Sequence, residues 1–134
     1  MEITIQDSGA FAAAAVHLGP GETFHSEAGC YFHSTPNVDI DVTTRRRSSG
    51  GGGLMGGLKS MLAGDSFFLS RYSSTDGREA TVHLAPGLPG DVRRVDLDGS
   101  TRWLCFGGSY MGSGPDLELD TRSEEHTSEL QSRQ

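Results

Sequence analysis

A short pattern of glycine, tyrosine, proline and alternating acids occurs twice in this chain and constrains its fold more than any other feature. Residues 29–43 read GCYFHSTPNVDIDVT, and residues 108–121 read GSYMGSGPDLELDT. After the proline turn, each copy alternates apolar and acidic residues, which is the period of a half-buried β-strand. Two copies of one strand-turn-strand unit predict a duplicated β-architecture. Because the second copy stops at Thr121, we expect that the natural polypeptide continues further.

The last residues of the chain differ from the rest in composition and lack the alternation of a strand. Residues 122–132 read RSEEHTSELQS, which is the translation of a common sequencing-adapter read. We therefore interpret residues 122–134 as an artefactual, disordered tail and exclude His126 from any site. The remainder, 1–121, has the length of one β-domain, with a first repeat at 1–90 and an incomplete second repeat at 91–121.

Charge and cysteine content exclude several classes of protein. The formal net charge is −7, and an acidic protein does not favour nucleic acid, whose binding relies on Lys and Arg. Cys30 and Cys105 lack the C-x-x-C spacing of zinc and redox sites, which indicates two buried thiols in a reducing compartment. The sequence predicts no signal peptide or membrane span, since the apolar run at 10–18 is short and rich in alanine. We expect a cytoplasmic bacterial or archaeal protein without a cofactor or a nucleic-acid partner.

Strand-like alternation dominates the chain outside its middle. Val38, Ile40 and Val42 alternate with Asp39, Asp41 and Thr43, and similar runs lie between glycine and proline turns such as GPG at 19–21 and DG at 98–99. Many short strands at this spacing predict a sandwich or barrel. The paired acids of each copy are typical of solvent-facing strand positions that keep sheet edges soluble.

The middle of the chain follows a different pattern. Residues 45–57 read RRRSSGGGGLMGG, and Leu54, Leu58, Met61 and Leu62 then recur at helical spacing. This predicts one short helix over residues 54–63 that ends at a glycine. The run GGLMGGLKS does not fit a phosphate-binding P-loop, because a leucine separates the last glycine from the lysine.

Four blocks in this order resemble the altered-inheritance-of-mitochondria (mitochondrial biogenesis) family, formerly a domain of unknown function. They are VHLGPGETFHSEAGCYFHSTPNVDIDV, GGLMGGLKSMLAGDSFFLSRYSS, VHLAPGLPGDVRRVDLDG and WLCFGGSYMGSGPDLELDT. The resemblance covers nearly all of residues 2–121. It implies an all-β fold like that of the tryptophan RNA-binding attenuator protein: a double-stranded β-helix or sandwich related in architecture to cupins. It also implies that this chain is an N-terminal fragment, and it supplies no catalytic residue.

We interpret the domain as a non-catalytic binding or scaffold module rather than an enzyme. Attenuator-like folds assemble through sheet edges, so the expected partner is a second copy, giving a homo-oligomer. A second candidate partner is an anionic membrane surface, because basic residues flank apolar ones in the middle of the chain. The candidate partner or membrane contacts are Arg45, Arg46, Arg47, Leu54, Met55, Leu58 and Lys59.

The alternative function is a cupin-like metal-dependent enzyme that uses His25 and Glu27. The sequence PGETFHSEAG around them is similar to part of a cupin metal motif, but the second histidine of that motif is absent. His17, His33 and His83 also form no pair at i, i+2, so only the tertiary fold could bring them to one metal. No metal or catalytic residue is therefore predicted, and this alternative stays open beside the scaffold.

Overall fold

The structure of the protein, a computed structural model, describes residues 1–46, 66–106, 108–122 and 127–132. Within these residues the regular structure is almost entirely β-strand, with one 3-10 turn at Ala28–Cys30. In chain order the strands are β1 (Glu2–Gln6), β2 (Ala13–Leu18), β3 (Thr23–Glu27), β4 (Tyr31–Ser34), β5 (Val38–Arg46), β6 (Ser66–Ser74), β7 (Ala80–Leu84), β8 (Arg102–Phe106), β9 (Gly112–Ser113), β10 (Leu117–Arg122) and β11 (Thr127–Ser132).

The first sheet is antiparallel and has the strand order β1-β2-β7-β4. At its centre, Val16 of β2 lies opposite Val82 of β7, and both side chains are fully buried. The two strands carry the same tripeptide, Val-His-Leu, at 16–18 and 82–84. The two tripeptides extend in opposite directions from the paired valines, so a local twofold axis that passes between Val16 and Val82 relates β2 to β7. This second repeat, at a different spacing from the first, was missed by the sequence analysis.

The second sheet has the strand order β5-β6-β3-β9 and packs against the first. Their shared core consists of Val16, Leu18, Phe24, Cys30, Tyr72, Val82 and Leu84. Burial of a large apolar side chain of this kind stabilises a fold by about 1.5–3 kcal/mol. The prediction of an all-β sandwich is therefore confirmed.

The third sheet, β10-β11-β8, repeats the arrangement β5-β6-β3 of the second. Tyr72 of β6 lies opposite Phe24 on one side and Ile40 on the other. The corresponding residue of β11, Leu130, lies opposite Trp103 and Leu119 in the same register. The strand-turn-strand pattern found in the sequence is thus also a repeat of strand order and register.

Two predictions about particular segments require comment. Within the segment 122–134, for which a disordered tail was predicted, residues 127–132 form β11 between β8 and β10. Both neighbours present unpaired backbone groups, and a polar segment without proline or glycine can satisfy them. The adapter origin of the tail and the repeat boundaries at 90 and 121 stay predictions. The predicted helix at 54–63 lies outside the described residues.

Candidate functional site

A cleft of about 460 Å³ lies between the first sheet and the second copy of the repeated unit. One wall is apolar and comes from β1 and β2, including Ile3, Ile5 and Val16. The opposite wall includes Trp103 and Cys105 of β8, and Phe24, Leu84 and residues 91–97 and 109–117 also contribute to the lining. This volume lies within the range of small-molecule pockets.

The cleft exists because the second copy does not close on the first sheet as the first copy does. Phe24 of β3 packs into the core and is only 3% exposed. Trp103 holds the same register position in β8, but it is 45% exposed and lines the cleft. Ser26 of β3, which is fully buried, likewise corresponds to the half-buried Cys105. The second copy therefore has the strands of a core layer without its packing.

Each arginine at the rim of the cleft faces an aspartate of opposite charge. The guanidinium of Arg94 lies 2.8 Å from the carboxylate of Asp96, and Arg93 faces Asp91 at 3.8 Å. Asp91 also accepts hydrogen bonds from the Gly9 amide and the Ser8 hydroxyl, and these bonds lower the pKa of its carboxyl, with the Gly9 amide as the main cause. Asp116 is a further acid of the lining, so the lining has three aspartates against two arginines, and each of these arginines already faces a carboxylate.

A second surface feature is an apolar face on the edge strand β5, which we call the β5 face and define as Ile40, Val42 and Phe68. Ile40 and Val42 lie opposite the buried Tyr72 and Ser70 of β6. They are nevertheless 40% and 59% exposed, and Phe68 is 42% exposed. The apolar face of the second sheet thus extends beyond the area that the first sheet covers and is exposed at the edge of the sandwich.

Two of the predicted contact residues lie next to this face. Arg45 and Arg46 end β5, where they pair with Phe67 and Ser66 of β6. The other predicted contacts, Arg47, Leu54, Met55, Leu58 and Lys59, lie outside the described residues. The structure therefore places the end of β5 that carries Arg45 and Arg46 beside the β5 face, and their role as contact residues stays a prediction.

His25 and Glu27, the residues of the enzyme alternative, lie two positions apart on β3 and are both half-buried. The Glu27 carboxylate caps the 3-10 turn by accepting from the Gly29 amide at 3.2 Å. It also lies 3.5 Å from the Cys30 sulfur. Burial, followed by the charge of Glu27, raises the pKa of the Cys30 thiol to about 12. Glu27 is thus engaged in shaping this turn.

Three histidines meet on the outer face of the first sheet. His33 of β4 and His83 of β7 are directly paired, and their rings are edge-to-face with centroids 4.1 Å apart. Nδ1 of His17 on β2 lies 3.1 Å from the Thr81 hydroxyl. Burial is the largest cause that lowers the pKa of His83, and the charges of His33 and His17 lower it further. The Val-His-Leu repeat is the sequence signal that could have indicated His17 and His83, whereas His33 lies outside it.

Neither a metal centre nor a membrane span is found in the described part of the chain. No group of three or more His, Cys, Asp and Glu side chains there has an arrangement that could hold a metal ion. None of its helical structure is long and apolar enough to cross a bilayer. The enzyme alternative with His25 and Glu27 stays an untested prediction.

Comparison with known families matches residues 3–133 to the family described as mitochondrial biogenesis AIM24. The chain belongs to this family. The family resemblance inferred from the four sequence blocks of this chain is thereby confirmed. No curated protein matches the AIM24 chain.

The AIM24 chain also shares its fold with a crystal structure of a protein from Streptococcus pyogenes, with a TM-score of 0.69 and 20% sequence identity. The match covers 98% of the AIM24 chain and 61% of the streptococcal chain. At this identity the likeness shows the fold alone. This chain therefore spans about three fifths of the length of the streptococcal protein.

Proposed function

We propose that this AIM24 domain is a non-catalytic binding module that assembles with further copies of itself through sheet edges. The observation that carries the proposal is the β5 face, where Ile40, Val42 and Phe68 are exposed on and beside an edge strand. An edge strand presents unpaired N–H and C=O groups that another chain can pair with. Apolar side chains beside those groups add burial to the pairing.

The alternation of β5 gives its two faces different roles. Asp39 and Asp41 alternate with the apolar residues, so one face of the strand is acidic and the other apolar. The acidic face opposes stacking of sheets in water, because like charges would be brought together. The β5 face meets no such barrier, and a second copy that covers it would extend the existing core. This asymmetry supports a specific contact rather than general aggregation.

Light scattering coupled to size-exclusion chromatography tests the proposal. The chain is expected to elute as an oligomer whose mass falls on dilution, and Val42→Lys is expected to give monomers. Phe32→Lys is the matched control, because Phe32 is also an exposed apolar residue but lies on β4 in the first sheet. A monomer at every concentration, or equal dissociation by both variants, contradicts self-assembly through β5.

Contact with an anionic membrane is a second candidate, favoured by the position of Arg45 and Arg46 at the end of β5. These residues pair with Phe67 and Ser66, and Phe68 follows on the exposed face. A basic residue near an anionic surface contributes about 1 kcal/mol, and apolar side chains can insert beside it. Such binding is weak and dependent on salt.

Co-sedimentation with phosphatidylserine-containing vesicles at low salt tests the membrane candidate. Arg45→Gln combined with Arg46→Gln is expected to reduce the bound fraction. Arg78→Gln, in the exposed turn between β6 and β7, is the control for loss of general positive charge. Absence of binding at low salt, or equal binding to vesicles of phosphatidylcholine alone, contradicts this candidate.

A further inference from the structure

We propose that the cleft between the first sheet and β8 is a binding site for one small, uncharged, apolar molecule. This inference goes beyond self-assembly, because it uses a different part of the molecule from the β5 face. It rests on the size of the cleft, on the chemistry of its walls and on the comparison between the two copies of the repeated unit.

The first copy shows what the second one lacks. Phe24 and Tyr72 fill the space between the second sheet and the first, and the Tyr72 hydroxyl is satisfied by Ser26 Oγ at 2.8 Å. The equivalents of Phe24 and Ser26 are Trp103 and Cys105, which face a space of about 460 Å³. An unfilled layer of this size loses the packing contacts of its lining atoms. A bound apolar molecule would restore those contacts.

The walls of the cleft select the class of ligand. Ile3, Ile5 and Met111, which are half-buried, present apolar surface, and Trp103 adds a large aromatic ring. Burial of an apolar molecule here stabilises the complex by the hydrophobic effect. At the rim, Arg93 and Arg94 already face carboxylates, so an anionic ligand gains no free cation. An aromatic or branched aliphatic molecule without charge fits these walls best.

Titration with N-phenyl-1-naphthylamine, an uncharged fluorophore that brightens in apolar surroundings, tests the proposal. Trp103 is the only tryptophan of the chain, so binding beside it is expected to quench its emission by energy transfer. The expected result is saturation at one probe per chain. Several weak sites per chain, or unchanged Trp103 emission at saturation, would overturn the proposal.

Two variants locate the site. Val95→Asp places a charge on an exposed residue of the cleft lining and is expected to abolish saturable binding. Leu88→Asp is the matched control, because Leu88 is 80% exposed and is not part of the lining. Ala14→Leu fills the cleft from β2 without adding charge and is also expected to abolish binding. Full binding by Val95→Asp or equal loss in Leu88→Asp overturns the assignment.

Occupation of the cleft by a second copy of the chain predicts a different outcome. Trp103 emission would then shift to shorter wavelength as the protein concentration rises, without any probe. Binding of the fluorophore would weaken over the same range. That result would overturn the small-molecule site without contradicting self-assembly. Val42→Lys distinguishes assembly through the β5 face from occupation of the cleft, since it alters only the β5 face.

Discussion

The hydroxyl of Tyr110 lies 2.8 Å from the hydroxyl of Ser113, and this contact repeats the one between Tyr31 and Ser34 at 3.2 Å. Each pair precedes a proline turn that leads into an edge strand, β10 in one copy and β5 in the other. Although β4 pairs with β7 and β9 pairs with β3, the tyrosine–serine contact and the proline turn are therefore the same in both copies. Their burial is not, and the consequences of this difference can be measured.

Gly112 is expected to be essential for packing of the second copy. A Cβ at this position would lie 2.5 Å from Cε1 of Phe24 and 2.7 Å from the His25 carbonyl oxygen. Gly112→Ala must therefore displace the ring or β9, and such overpacking costs about 1–3 kcal/mol. Urea denaturation is expected to show this loss. Gly87→Ala is the control, since a Cβ at Gly87 meets nothing within 4 Å, and equal stability of both variants would contradict the packing described.

Cys30 is expected to resist alkylation in the folded protein. Burial, then the charge and hydrogen bond of Glu27, raises its pKa from 9.0 to about 12, so the reactive thiolate is scarce at pH 8. Cys105 is half-buried and lines the cleft. Labelling with iodoacetamide at pH 8 should therefore modify one thiol quickly, and Cys105→Ser should remove this fast phase.

The same pKa shift makes folding sensitive to alkali. Because the folded-state pKa of Cys30 is raised, its contribution to stability is complete below about pH 9 and is lost as the pH rises towards 12. The urea midpoint of the wild type is expected to fall over this range more than that of Cys30→Ala. Fast labelling of Cys30 in the native state at pH 8 would contradict the burial of this thiol.

His83 is expected to titrate below the ordinary histidine value of 6.5, mainly because of burial and then because of His33 and His17. A lowered pKa means that the neutral ring stabilises the fold above pH 6.5, and that this contribution is lost as the pH falls below it. His33→Gln removes one neighbouring charge and should raise the pKa of His83. NMR titration measures the pKa of His83 in the wild type and in His33→Gln. His25→Gln, on the other sheet, is the control. An unchanged pKa of His83 in His33→Gln would contradict the pairing of the two histidines.

The fold could be predicted from the sequence wherever a local pattern carried the information. Alternation around Ile40 and Leu119 correctly indicated strands, and the repeat around Tyr31 and Tyr110 indicated a duplicated unit. These patterns depend on neighbours along the chain. The order of the four sequence blocks also led to the right family.

The site could not be predicted, because it depends on how the sheets pack. Phe24 and Trp103 are both aromatic residues in strands, and only the tertiary structure shows that Phe24 is buried whereas Trp103 is exposed in the cleft. Likewise, the antiparallel pairing of β2 and β7 brings His17 near His83 from distant parts of the chain. For residues 127–132, composition predicted disorder. In the structure these residues form β11, which pairs with the backbone of β8 on one side and of β10 on the other.

The fluorescence of Trp103 tests most directly the central claim that the second copy lacks the closed core of the first. Since Trp103 is the only tryptophan and is 45% exposed, its emission in dilute, probe-free protein should lie towards that of solvated indole, and acrylamide should quench it readily. Emission at the short wavelength of a buried indole, with little quenching by acrylamide, would contradict the account.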